Sequence, residues 1–229
     1  VEAAGNADAA IIVAPETAGV LASRVAAVRA EGIRVLAPGD TFIRLATDKQ
    51  ATVDALAAAG VPVPAGRSLA AGEPWPEGFH QPAVRKARSS TGCDGLVRVG
   101  RGDSPPCPAP DATRLEAWCA GTPVGVSCVV GPSATVPVAT MRQCFTPDTH
   151  AYVGGRTLGD AVTRLRAESL AVRAIIALAR RDRVPSAGWV GVDMILGSRS
   201  DGLDDRVLEV NPRSEEHTSE LQSRQYLVC

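Results

Sequence analysis

Gly188-Trp-Val-Gly-Val-Asp-Met-Ile-Leu196, followed after a polar stretch by Asp205-Arg-Val-Leu-Glu-Val-Asn-Pro-Arg213, is the part of the chain that decides its fold. Side chains alternate along a strand. Val190, Val192, Met194 and Leu196 therefore share one face of the first run, and Trp189, Gly191 and Asp193 take the other. In the second run Leu208 and Val210 are expected on the apolar face, with Glu209 and Asn211 opposite. If Gly197 to Asp205 is the turn, Asp193 pairs across the hairpin with Glu209. Like charges facing each other across a sheet are destabilising. A Mg2+ (or Mn2+) ion shared by Asp193, Glu209 and the Asn211 amide oxygen would reverse that sign, because it is a hard cation suited to oxygen ligands and substrate phosphates. A solvated hairpin face with two unrelated acids fits the same residues, and the rest of the chain has to decide.

Upstream, Ala9-Ala-Ile-Ile-Val-Ala14 is a short continuous apolar run of the kind that forms a buried parallel strand. A helical pattern follows from Thr17 to Ala30 and ends at Gly32, and Ile33 to Leu36 supplies a second strand. The opening thus reads as a βαβ unit, the remnant of a Rossmann-like α/β domain. Thr47-Asp-Lys-Gln50 fits a capping box opening a helix that runs to Gly60. From Pro82 onward short strands dominate: Ala83–Lys86, Gly95–Val99, Leu115–Trp118, Val124–Val130 and Ala134–Met141. One long helical pattern, Ala161–Arg181, interrupts them, with Leu165, Val172, Ile176 and Ala179 expected on its buried stripe. Strands on both sides of one long helix indicate an α+β fold.

Three further stretches offer chemistry. Lys86 ends a strand and precedes Ser89-Ser-Thr-Gly-Cys-Asp-Gly95, a small-residue loop whose backbone donors and hydroxyls can cover phosphates while a lysine meets them as a point charge. Lys49 stands at the start of its helix. Glu116-Ala-Trp-Cys119 ends a strand before a turn at Gly121, and can present backbone groups to an adenine edge with Trp118 as an apolar wall. A surface lysine, a flexible hairpin loop and a core tryptophan are the ordinary readings of these same stretches. No Ser-His-Asp, Cys-His or dinucleotide glycine pattern competes.

The order of these elements resembles the ATP-grasp ligases over essentially Ala9 to Pro212, most specifically through Asp193 and Glu209-Val-Asn211-Pro212-Arg213. The resemblance implies an ATP-grasp fold of antiparallel sheets with packed helices. It implies that Lys49 and Lys86 neutralise ATP phosphates, and that Ser89, Ser90, Thr91, Gly92 and Gly95 cover them. Glu116 and the backbone near Trp118 and Cys119 would hold adenine, while Asp193, Glu209 and Asn211 would bind Mg2+. Arg213 and Arg142 would contact substrate or phosphate. Residues 1–46 would be the N-terminal remnant, 47–118 and 119–212 the two ATP-grasp subdomains. The activity implied is ATP-dependent joining of a small-molecule carboxylate to an amine through an acyl phosphate. Another ATP-grasp ligase or carboxylase, or a nucleotide-binding module without turnover, fits as an alternative. Within the family, Val13-Ala-Pro-Glu16, Thr47-Asp-Lys49, Tyr152-Val-Gly-Gly155 and Gly188–Asp193 are similar to tyramine-glutamate-ligase-like proteins. Ala87 after the strand lysine and Pro123 at the hinge depart from the usual family residues.

Arg213-Ser-Glu-Glu-His-Thr-Ser-Glu-Leu-Gln222 resembles the direct translation of a common short-read sequencing adapter, and Leu227-Val-Cys229 its downstream end. Residues 213–229 are therefore expected to be an adapter-derived artefact, although Arg213 fits the family as well. With Val1 in place of Met and a strand starting at Ala9, the chain is expected to be a fragment. A formal net charge of −1 offers no electrostatic case for nucleic acid or an anionic membrane. No apolar run approaches the roughly 20 residues of a membrane span. Five cysteines before residue 213 lack a CxxC pair, so reduced thiols in a cytoplasmic protein are expected. His80 and His150 have no ligand-spaced partner, and zinc is not expected.

Overall fold

The computed structural model describes residues 7–90, 95–146, 151–182 and 186–213, together with the backbone of 226–228. The chain opens with strand β1 (Ile11–Val13), a single 3-10 turn at Thr17–Gly19 and helix α1 (Val20–Ala30). The expected second strand contributes one parallel bridge, Ala10 to Val35, closed by Ala10 N to Arg34 O and Leu36 N to Ala10 O, both 2.8 Å. Leu21, Val25 and Val28 of α1 pack with Ile12, Val35 and Ile43 in a core of their own.

Helices α2 (Asp40–Thr47) and α3 (Lys49–Ala58) come next, and the sequence had indicated only the second. Asp48, not Thr47, caps α3. Its Oδ1 accepts from the N–H groups of Gln50 and Ala51 at 2.9 and 3.2 Å, as an N-cap carboxylate does. Thr47 closes α2 instead, its hydroxyl donating to Ile43 O at 2.8 Å. The capping box fails because Asp48 itself leaves helical geometry, with φ −105° and ψ 109°.

Strands β2 (Gly66–Leu69), β3 (Ala83–Ala87), β4 (Val97–Val99) and β5 (Thr113–Ala117) form an antiparallel sheet in the order β2-β5-β3-β4. A larger sheet takes β6 (Thr122–Val130), β7 (Thr135–Phe145), β8 (Tyr152–Thr157), β9 (Gly188–Leu196) and β10 (Arg206–Asn211) in the order β10-β9-β6-β7-β8. Residues 118–121 join the two sheets, so the turn at Gly121 closes no hairpin. A side chain at Gly121 would put Cβ 2.3 Å from Leu196 O at φ 152°, which fixes the connector against the end of β9.

The main core lies between the large sheet and helices α2, α3 and α4 (Ala161–Ala179). Val190, Val192, Met194 and Leu196 are buried there as their alternation requires. Helix α4 uses a different face from the expected one. Leu165 and Ile176 are exposed, while Ala167, Leu170, Ala171, Ala174, Ile175 and Leu178 are buried. Leu165 and Ile176 compete with Leu170, Ile175 and Leu178 for the apolar stripe, so it is weakly defined, and the face that also carries Ala167, Ala171 and Ala174 is the one that packs on the sheet. The adapter-like residues 214–225 lie outside the described residues. Tyr226–Val228 forms strand β11, antiparallel to β1.

Candidate functional site

Asp193 and Glu209 are direct cross-strand partners on the β9–β10 hairpin. The register shifts between Val207 and Glu209, a bulge that displaces Leu208 from the expected apolar face. Val207 is buried in its place, and Val210 is buried as expected. The Asp193 carboxylate accepts from Gln143 Nε2 at 2.6 Å and from Asn211 Nδ2 at 3.1 Å. Glu209 Oε1 meets Lys49 Nζ at 3.0 Å. Lys49 is only 4% exposed and also donates to Ser90 O at 2.8 Å. Its ammonium offsets the repulsion that two opposed carboxylates would otherwise feel.

Lys86 takes a different partner. Its Nζ lies 2.6 Å from Glu116 Oε2, and Arg114 Nε lies 2.7 Å from Glu116 Oε1. Arg114, 1% exposed, also donates to Gln50 Oε1 at 2.6 Å and Pro64 O at 3.1 Å. The two lysines are thus linked through adjacent residues of α3, Lys49 reaching the hairpin and Gln50 reaching the buried Glu116 network. Glu116 is buried as a counter-ion for two cations. The Trp118 N–H donates to Pro82 O at 2.9 Å, which removes it from the donors expected at an adenine edge. The half-buried Trp118 ring has the Arg98 guanidinium 4.2 Å from its centroid, a cation–π contact. Burial, and next the Glu116 charge, push the neighbouring Cys119 thiol up.

Glu16 and Thr17, Ser89 and Ser90, and Glu209 and Asn211 line a shallow depression beside Lys49. Thr91 and Gly92 of the expected phosphate-covering loop lie outside the described residues, and Gly95 turns at φ 71°. Arg213 Nε pairs with Glu16 Oε1 at 2.7 Å, tying the N-terminal unit to the end of β10. Burial raises the Glu16 carboxyl above its ordinary range and the charge of Glu209 adds to this, against the opposing pull of Arg213. Arg142 is not brought to the acidic pair. It is exposed and pairs with Val124, whose side chain belongs to the core beneath α4, so alternation puts Arg142 on the opposite face from Asp193.

Gln143, the next residue, is the one that reaches Asp193. The sequence gives no signal for it, because the apolar alternation stops at Met141, whereas β7 continues to Phe145. Glu16 carried no signal beyond its place in the Val13–Glu16 motif. Among the described residues no three His, Cys, Asp or Glu side chains gather as a metal cluster, so any cation here rests on two carboxylates and an amide. Cys107, Cys119, Cys128 and Cys144 are free thiols, with Cys128 pushed up to about 12 by burial.

Residues 46–216 match the ATP-grasp domain, and residues 2–42 match the pre ATP-grasp 3 domain. The chain belongs to the ATP-grasp family. No curated protein matches it. Among solved structures, an ATP-grasp superfamily protein from Archaeoglobus fulgidus is similar at 22% identity and TM-score 0.66, covering 91% of this chain and 59% of that one. The carboxyaminoimidazole ribonucleotide synthase of Aspergillus clavatus, complexed with ATP, is similar at 20% identity and TM-score 0.65, with 86% and 52% covered. The D-alanine-D-alanine ligase of Coxiella burnetii is similar at 16% identity and TM-score 0.66, with 90% and 59% covered. At these identities the likeness is one of fold. The ATP-grasp chain spans between about half and six tenths of the length of these structures. Among its described residues no helix is long and apolar enough to cross a membrane.

Proposed function

We propose that this chain carries the ATP site of a ligase that joins a small-molecule carboxylate to an amine. The observation that carries the reading is the opposition of Asp193 and Glu209, with Lys49 3.0 Å from Glu209 and with Ser89 and Ser90 lining the depression that Glu209 and Asn211 also line. Phosphoryl transfer asks a protein mainly for positioning and charge neutralisation. Lysine, serine and paired carboxylates are that inventory. Asp193, Glu209 and the Asn211 amide oxygen form a hard-oxygen set that fits a divalent cation, Mg2+ or Mn2+, which when bound neutralises phosphate charge.

On this reading Lys49 exchanges part of its contact with Glu209 for a phosphate oxygen, and Lys86 does the same from Glu116. The γ-phosphoryl group forms a bond to a carboxylate oxygen of the acid as its bond to ADP breaks. The amine nitrogen then attacks the acyl carbon, phosphate leaves, and the nitrogen loses its proton to solvent. Arg213, held by Glu16, faces the developing phosphate charge. Residues 47–118 and 119–212 act as the two subdomains around the nucleotide, with 1–46 as the N-terminal unit. The Tyr152–Gly155 and Val13–Glu16 motifs favour an amino-acid substrate of the tyramine–glutamate class.

The test is ADP release with ATP, Mg2+ and paired acids and amines, glutamate with tyramine among them, alongside mass detection of the amide. One ADP per amide is expected. ATP binding without ADP release on any pair would leave a binding module, and absence of ATP binding would reject the site.

A further inference from the structure

We propose that Gln143 is a positioning residue that sets the cation affinity of the hairpin by holding the Asp193 carboxylate in the orientation that faces Glu209. The inference rests on the metal-nucleotide reading above and adds to it a control exerted from β7. Gln143 and Asp193 are not on neighbouring strands. β6 lies between them, so the contact spans two strand spacings, about 9.6 Å at roughly 4.8 Å each. The side chain can cross only where β6 is bare. Gly125 supplies that gap: it is the register partner of both Met141 on β7 and Asp193 on β9. A Cβ at Gly125 would lie 3.0 Å from Gln143 Nε2 and 3.3 Å from Asp193 Oδ1, closer than side chains ordinarily pack.

The chemistry of the two donors matters as much as their placement. Gln143 Nε2 donates to Oδ1 and Asn211 Nδ2 to Oδ2, so both carboxylate oxygens are fixed from opposite sides. A cation shared by Asp193 and Glu209 needs both carboxylates held toward it, and any freedom in the Asp193 side chain is taken from its affinity. Outer partners that orient a metal-binding carboxylate typically contribute a factor of about 10 to 100 in affinity.

The test measures Mn2+ affinity in the presence of ATP, from the electron paramagnetic resonance of free Mn2+, and separately ATP affinity in EDTA. In Gln143→Leu and Gln143→Met, Mn2+ affinity is expected to fall about 10- to 100-fold while ATP affinity in EDTA stays within about twofold. Gly125→Ala, which crowds the contact while both polar residues stay in the sequence, is expected to act in the same direction. Should one substitution unfold the chain, the other two carry the test. Unchanged Mn2+ affinity in the folded variants overturns the inference alone, as does an equal loss of ATP affinity in EDTA, which would make Gln143 merely structural. An unsubstituted chain that takes up no Mn2+ with ATP overturns the nucleotide reading itself.

Discussion

Lys49 and Glu209, 160 positions apart, meet at 3.0 Å and join the start of α3 to the last strand of the large sheet. A buried ammonium is costly unless paired, and here its partner is one of two carboxylates that repel each other. The contact therefore serves the fold and holds the lysine beside the depression. A double-mutant cycle of Lys49→Met and Glu209→Gln, followed by urea denaturation, is expected to give a coupling of about 0.5 to 3 kcal/mol. A coupling of zero would mean that the two side chains do not share an energetic contact.

Arg114 offers a sharper stability test. Its guanidinium satisfies Glu116, Gln50 and Pro64 together, at 1% exposure. Arg114→Met leaves Glu116 with Lys86 alone and is expected to cost about 3 to 5 kcal/mol, the range for breaking one side of a buried pair. A cost below about 1 kcal/mol, the level of an exposed pair, would show that the network is not buried in solution.

The two faces of α4 give opposite expectations. Leu178→Ala removes a fully buried side chain and is expected to cost about 2 to 5 kcal/mol. Leu165→Ala removes an exposed one and is expected to stay within about 0.5 kcal/mol. Thermal unfolding of the two variants side by side checks the rotation of the helix.

Asp48 titrates in a way that fixes a pH window. Burial pulls its carboxyl upward, but the Arg88 hydrogen bond and the Ala51 and Gln50 N–H groups outweigh it, and the group ends below its ordinary range. A depressed carboxylate stabilises the fold above its unfolded value, about 3.9 for aspartate, and that stability is lost as pH falls through the lower folded value. Asp48→Ala is therefore expected to cost about 0.5 to 2 kcal/mol near neutrality, as for a lost N-cap, with the deficit narrowing below about pH 4. A deficit that grows on acidification would contradict the assignment.

What could be read from the sequence followed periodicity. Val190, Val192, Met194 and Leu196 declared their face because one side of an antiparallel strand meets a helix layer, and with them came the Asp193–Glu209 pair. Leu208 could not be placed, since a bulge is a local choice that alternation does not encode. Lys49 and Lys86 were recognisable as candidate phosphate ligands, yet their partners depend on strand register and on α3 docking, which arise only in three dimensions. Gln143 was hidden because Cys144 and Phe145 gave no alternation beyond Met141. The buried face of α4 was hidden because Leu165 and Ile176 on one side and Leu170, Ile175 and Leu178 on another make two competing apolar stripes.

Calorimetric titration of ATP into the chain, with Mg2+ and with EDTA, tests the proposed Mg2+-dependent nucleotide site on Asp193 and Glu209. Binding is expected to be tighter with Mg2+, and Glu209→Gln is expected to remove most of that difference while leaving the weaker metal-free binding in place. Equal affinity with and without Mg2+, or a Mg2+ effect unchanged by Glu209→Gln, would rule out a metal-nucleotide site on this hairpin.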